Sequence, residues 1–408
     1  MKWDPSFAHN HEGLEQALSL LHQHSAVPAS LERLPSSLPE KGIGESQSLD
    51  NLAPSVLGKA ARLDGELALA HMDPPTPWVT WATTLWNARL NQNLLHPATS
   101  PVSRDLETTT ISWLSPFFGM GGGHMTPGST VANITALWVA RDLCNVEEVV
   151  ASDMAHVSIE KAARLLRIPL RKLKTDHLGH LLATDLGDVS RSCLVLTAGH
   201  TSTGVIDQLG LAGRAAWTHV DAAWAGPVRL SRTYGMRLDG IEQADSIAIS
   251  GHKLLFQPKE SGIVLFRDPD AANSVISFGG AYLNSPNIGL LGSHGANAVP
   301  LLATLLAWGR TGLETRLDRC MRTAEQVAKW IADQPRLQLL QAPVTGVFVW
   351  RPTEMDVSAF GRALPCGLAS TTQIAGEPWL RCVSANPNAD PESIIAAIAD
   401  RIARHTMT

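Results

Sequence analysis

From about residue 71 onward the chain alternates two kinds of apolar pattern. Short continuous runs at 149–152, 193–197, 218–220, 246–249 and 262–266 read as buried strands. Segments 131–143 and 158–166 instead carry apolar residues at a 3.6-residue spacing and read as helices. Strands alternating with helices predict an α/β fold, a mostly parallel sheet covered on both faces. After Gly309-Arg310-Thr311-Gly312 a helix is expected, then strands at 346–350 and 379–383 and a helix at 391–403, a smaller α+β region closing the chain. Residues 1–70 are weakly helical, with Pro, His and Ser interrupting 28–44, and read as an N-terminal arm. The expected organisation is thus an arm (1–70), a large α/β domain (71–310) and a small C-terminal domain (311–408).

Composition narrows the partners. With 408 residues, of which 44% are hydrophobic and 17% charged, the chain can bury a sizeable core. Its net charge is −5 and no run of like charge occurs, so neither nucleic acid nor an anionic membrane has an electrostatic footprint to meet. A small-molecule partner is the default. The five cysteines are scattered and include no C-x-x-C pair, which argues against a disulfide framework and against a metal site, and favours a reducing cytoplasm. The first residues lack the order of a signal peptide, and the longest apolar stretch, 299–308, is too short to span a bilayer. A soluble, unprocessed protein is expected.

Chemistry concentrates at strand ends. SIAISGHK brings Lys253 just past one predicted strand, and THVDAAWAG ends another in Asp221. A lone lysine there is usually only a strand cap. A carboxylate at the end of a buried strand, however, needs a cationic partner, and a protonated pyridine nitrogen would serve. A lysine able to form a Schiff base and a carboxylate facing a ring nitrogen are together what pyridoxal 5′-phosphate (PLP) requires. The glycine-rich stretch 119–130, GMGGGHMTPGST, reads as a turn that ends in Gly128, Ser129 and Thr130 at a helix N-terminus, a natural phosphate seat. Neither nucleotide-loop spacing, G-x-x-x-x-G-K-[ST] or G-x-G-x-x-G, is present.

In this order the motifs resemble the group II PLP-dependent amino-acid decarboxylases, whose aromatic amino-acid, glutamate and 2,4-diaminobutyrate members share PLP fold-type I (aspartate-aminotransferase-like) architecture. The likeness extends over most of 71–383. It implies that His156, in HVSIEKAA, stacks on the cofactor ring, with Ala223 against the opposite face and Asp221 at the pyridine nitrogen. It implies that Gly128, Ser129, Thr130, Ser250 and His252 hold the phosphate, that Thr201 of GHT carries over, and that Lys253 is the Schiff-base lysine. His200 departs from the threonine usual there, and Val131 from the glutamate of many members. Tyr282, in AYL, falls where the family's mobile-loop tyrosine protonates the substrate carbon from across a homodimer. The segment 284–297 lacks the arginines often found in that region. His71, Trp78, Asn91 and His96 fall along the implied substrate wall, where Asp73 or Asp105 could meet a basic side chain. Arg381 falls where related PLP enzymes place an active-site arginine.

The reading is a cytoplasmic PLP-dependent decarboxylase that converts an L-amino acid to its amine and carbon dioxide. An aminotransferase, a carbon–sulfur lyase or an aldehyde-forming oxidative decarboxylase could use the same scaffold, as could a non-catalytic PLP-fold binding protein.

Overall fold

The structure, a computed structural model, describes residues 10–23, 36–280, 283 and 287–406. The chain divides into two compact units, Met1–Arg62 and Leu63–Thr408. In the first, helices α1 (His11–His22) and α2 (Glu45–Val56) are joined by a bond from Gln16 Nε2 to Asp50 Oδ1 at 2.9 Å. The Asn10 side chain caps α1 by accepting from Gly13 N.

The second unit starts with α3 (Trp78–Leu90) and α4 (Ser103–Leu114) and is built on a seven-stranded sheet. Its strands are β1 (Gly122–Thr126), β2 (Glu148–Ser152), β3 (Leu170–Leu173), β4 (Ser192–Thr197), β5 (Trp217–Asp221), β6 (Ser246–Ser250) and β7 (Gly262–Phe266), in the order β1-β7-β6-β5-β4-β2-β3. Strands β2 to β6 pair in parallel, and β7 runs antiparallel to both β6 and β1. The mostly parallel sheet expected from the apolar runs is present. Alternate residues of single strands enter two separate cores: Leu194 and Leu196 of β4 pack on one face, Cys193 and Val195 on the other. Burial on both faces is why these strands read as unbroken apolar runs.

Helix α5 (Ser129–Cys144) connects β1 near one edge to β2 near the other and so crosses the sheet over β7, β6 and β5. Helix α6 (Val157–Leu166) packs beside it, and α7 (Pro269–Ile276) follows β7. A short pair, β8 (Ser277–Phe278) and β9 (Asn287–Ile288), precedes α8 (Ala298–Ala332). A helix was expected only after 309–312; α8 starts earlier and is interrupted at Gly309, which takes φ 57° and ψ −173°. A four-stranded antiparallel sheet, β10 (Leu337–Leu339), β11 (Val347–Pro352), β12 (Ser370–Ile374) and β13 (Glu377–Val383), packs with α8, α9 (Val357–Arg362) and α10 (Pro391–Thr406) around a third core.

One local expectation is corrected. The stretch 119–130 is not a single turn, because β1 lies inside it. Its pairing comes from the backbone of β7, more than a hundred residues later, which local composition does not register.

Candidate active site

The ends of β4, β5 and β6, the start of β7 and the N-terminus of α5 meet on one side of the sheet. Register places Thr197 opposite Asp221, and Ser250 opposite Gly262. This carboxyl edge is where open α/β sheets hold ligands.

The α5 N-terminus is arranged for an anion. Gly128 precedes it at φ 130° with no side-chain cap, and the first-turn N–H groups of Ser129 and Thr130 find no acceptor among the described residues. A side chain on Gly128 would adopt an unfavourable backbone and would begin 3.6 Å from Cε1 of His252. A Cβ on Gly262 would lie 2.6 Å from the Gly128 Cα, so the tight approach of β7 to this loop requires glycine there. Ser250 Oγ bonds Ser129 Oγ at 2.9 Å, which brings two hydroxyls to the same place. His252 Nδ1 donates to the Ser261 carbonyl at 3.0 Å. Its Nε2 then needs a second proton before it can donate. Burial, Lys259 and Lys253 hold that pKa below the ordinary imidazole value, and a bound phosphate dianion would oppose them.

Asp221 is buried at the end of β5. Its Oδ1 accepts from Ala223 N at 3.1 Å and its Oδ2 from Asn133 Nδ2 at 3.0 Å. Both donors are neutral, and the carboxylate has no ion pair among the described residues. Lys253 follows β6 by three residues, and its Nζ has neither a hydrogen bond nor an ion pair among the described residues. Burial depresses its pKa most, Asp221 and Asp73 oppose the shift, and Lys259 and Arg381 add to it. The downward shift makes the neutral amine, the form that attacks an aldehyde, easier to reach. A hydroxyl pair at a helix N-terminus, an unpaired lysine and a buried carboxylate lacking a cation match the phosphate, aldehyde and ring nitrogen of PLP.

His156 caps α6 by accepting from Ser158 N, and its Nδ1 lies 2.8 Å from Ser158 Oγ. Its ring is otherwise exposed, and desolvation lowers its pKa most, against Asp221 and with Lys253 and Lys161. Thr201 lies on an exposed turn whose carbonyl accepts from Arg381 at 2.9 Å. The same guanidinium reaches the Ala70 carbonyl at 3.3 Å, next to His71, while its Nε is buried without a partner. The structure thus gathers Lys253, Asp221, Ala223, Gly128, Ser129, Thr130, Ser250 and His252, with His156, Thr201 and Arg381 around them. His71 and Trp78 are exposed, Asn91 closes α3 in a left-handed conformation, and His96 Nδ1 accepts from Ala98 N. Asp73 is paired with Lys259. Tyr282 lies outside the described residues.

Sequence reading missed Asn133 and Ser158, whose only signal is a polar residue on a buried helix face. It also missed what replaces the threonine at 200. His200 is fully buried, with Nε2 3.1 Å from Asp207 Oδ1 and Nδ1 3.3 Å from the Met154 carbonyl. Both ring nitrogens face acceptors, which calls for the doubly protonated ring. Burial works against that charge, yet the hydrogen bond and charge of Asp207 raise the pKa overall.

Comparison with known proteins agrees with this geometry. Residues 28–352 match the pyridoxal-dependent decarboxylase conserved domain. The chain is 28% identical to aspartate 1-decarboxylase of Aliivibrio fischeri, over 79% of this chain and 70% of that one. It is 27% identical to L-2,4-diaminobutyrate decarboxylase of Rhizobium meliloti, over 90% of this chain and 83% of that one. In fold it is similar to the glutamate decarboxylase domain of a diaminobutyrate-pyruvate transaminase and L-2,4-diaminobutyrate decarboxylase from Vibrio parahaemolyticus, with a TM-score of 0.85, 20% identity and 99% of each chain covered. The chain belongs to the pyridoxal-dependent decarboxylase family, with its fold-type I architecture, and is a PLP-dependent amino-acid decarboxylase.

Proposed function

We propose that this chain removes the α-carboxylate of an L-amino acid, with Lys253 as the residue that joins PLP. The observation that carries this reading is a pair not joined by a hydrogen bond or ion pair among the described residues: Lys253, and Asp221 buried with neutral donors. When bound, PLP supplies the aldehyde that the amine engages and a ring that accepts the electron pair released with carbon dioxide. Asp221 favours the protonated ring nitrogen. Gly128, Ser129, Thr130, Ser250 and His252 hold the phosphate. His156 covers one ring face, and the small side chain of Ala223 leaves room at the other. Lys253, displaced by substrate, can take up and return a proton at Nζ. Arg381, held by the Thr201 carbonyl, is the cation for a substrate carboxylate. Tyr282 serves as the general acid at the substrate carbon. His71, Trp78, Asn91 and His96 form the substrate wall.

A homodimer completes the site. Helix α3 turns large apolar side chains outward, with Trp78 71% exposed, Trp86 60% and Leu90 61%. Faces of that kind mark interaction surfaces, and twofold dimers are the commonest assembly. A cytoplasmic setting is supported by five free cysteines, three of them buried. Among the described residues no helix is long and apolar enough to cross a membrane. The test is carbon dioxide release by PLP-loaded enzyme across aspartate, glutamate, 2,4-diaminobutyrate, ornithine and the aromatic amino acids. One amine per carbon dioxide without an added keto acid is expected. A requirement for keto acid would make it an aminotransferase.

A further inference from the structure

A run of hydrogen bonds crosses the buried face of the sheet behind the site, and the carboxylate at its Asp221 end fixes the hydrogens along it. At one end is the Trp217 indole N–H, which can only donate. It reaches Ser246 Oγ at 2.9 Å on the neighbouring strand. That hydroxyl also lies 2.9 Å from His219 Nδ1. The other ring nitrogen, Nε2, lies 2.9 Å from Asn133 Oδ1.

The other end is Asp221, whose carboxylate can only accept. It requires Asn133 to present Nδ2, at 3.0 Å, and so requires Oδ1 to face His219. With that oxygen before it, Nε2 carries the His219 proton, and Nδ1 is left to accept from the Ser246 hydroxyl. The second hydrogen on Nδ2 goes to Ser158 Oγ at 2.8 Å. Ser158 passes its hydroxyl hydrogen to His156 Nδ1 at 2.8 Å, and its backbone N–H points at the same nitrogen from 3.2 Å. With Nδ1 taken by donors, the proton of His156 belongs on Nε2. Asn133, Ser158, His219 and Ser246 are all buried, so no water competes for the bonds among them.

Resting on the reading of the site above, we infer that Trp217, Ser246, His219, Asn133 and Ser158 are positioning residues that set His156 as a hydrogen-bond donor through Nε2 while holding Asp221 in place. His156 then offers the cofactor and substrate an N–H and no lone pair. It can bind a developing or departing carboxylate oxygen, and it cannot act as a base there. The relay also joins the residue assigned to one ring face, His156, to the residue assigned to the ring nitrogen, Asp221, through the single amide of Asn133.

Neutron diffraction of the deuterated holoenzyme reads these positions directly. Deuterons are expected on Nε2 of both His156 and His219, with both Asn133 amide deuterons toward Asp221 and Ser158. A deuteron on Nδ1 of His156, or a reversed Asn133 amide, overturns the inference. In solution, Ser158→Ala and Trp217→Phe should each lower kcat about tenfold with KM within about twofold. Ser158→Thr should recover most of the loss, and the pH midpoint of cofactor absorbance should shift in Ser158→Ala. Unchanged kcat and unchanged absorbance in Ser158→Ala would contradict a positioning role. If wild-type protein lacks the cofactor band altogether, the reading of Lys253 fails, while the neutron map of the protein still decides the relay.

Discussion

The Arg381 guanidinium on β13 donates to the Thr201 carbonyl at 2.9 Å, so the C-terminal sheet is pinned to the turn that follows β4. The bond to Ala70 O at 3.3 Å uses a second nitrogen. Lysine has one nitrogen and no planar fork, so it cannot keep both carbonyls and a carboxylate. Arg381→Lys should therefore raise KM for the amino acid at least about tenfold, with a smaller fall in kcat. Steady-state kinetics check this, and an unchanged KM would remove Arg381 from the substrate site.

Cofactor retention should depend on Gly128. Its φ of 130° strains any other residue, by about 1–3 kcal/mol. Gly128→Ala should hold PLP at least about tenfold more weakly in equilibrium dialysis while Tm changes by only a few degrees. Equal affinity would mean that the phosphate sits elsewhere.

His219 should make the protein acid-sensitive. Burial, the largest effect, takes its pKa down to about 4 from 6.5, against the opposing influence of Asp221 and the Ser246 backbone. The unfolded chain thus binds a proton below about pH 6.5 that the folded chain refuses until about pH 4. The stabilisation is complete above the higher value and is lost as pH falls through this window. Urea unfolding at pH 7.5 and pH 5 should show wild type losing about 2 kcal/mol more than His219→Gln. Equal losses would mean that His219 charges in the folded state.

His200 should behave in the opposite sense. Its pKa is raised, so its stabilisation is complete below pH 6.5 and is lost as pH rises through the folded-state value. His200→Thr should be less stable than wild type at pH 6, and the gap should narrow by pH 9.5. A gap that stays constant would show that Asp207 holds a neutral ring.

The sequence was most legible where chemistry is local. Lys253 and Asp221 declare themselves at the ends of apolar runs, and the five runs that read as strands all lie in the sheet. Long-range pairing was hidden. Strand β1 exists because β7 supplies its partners, and Asn133 looks like an ordinary polar helix residue until Asp221, 88 positions later, meets it. His200 was visible as a departure from the family pattern, but its charge depends on Asp207, which joins it only when the turn closes and buries both. Only the fold reveals that α3 turns Trp78 and Trp86 away from the core.

The assignment of Lys253 is tested most directly by reducing PLP-loaded enzyme with borohydride and mapping the modified peptide by mass spectrometry. Attachment at Lys253 alone is expected, with no label in Lys253→Ala. Label on another lysine, or on none in wild type, would contradict it.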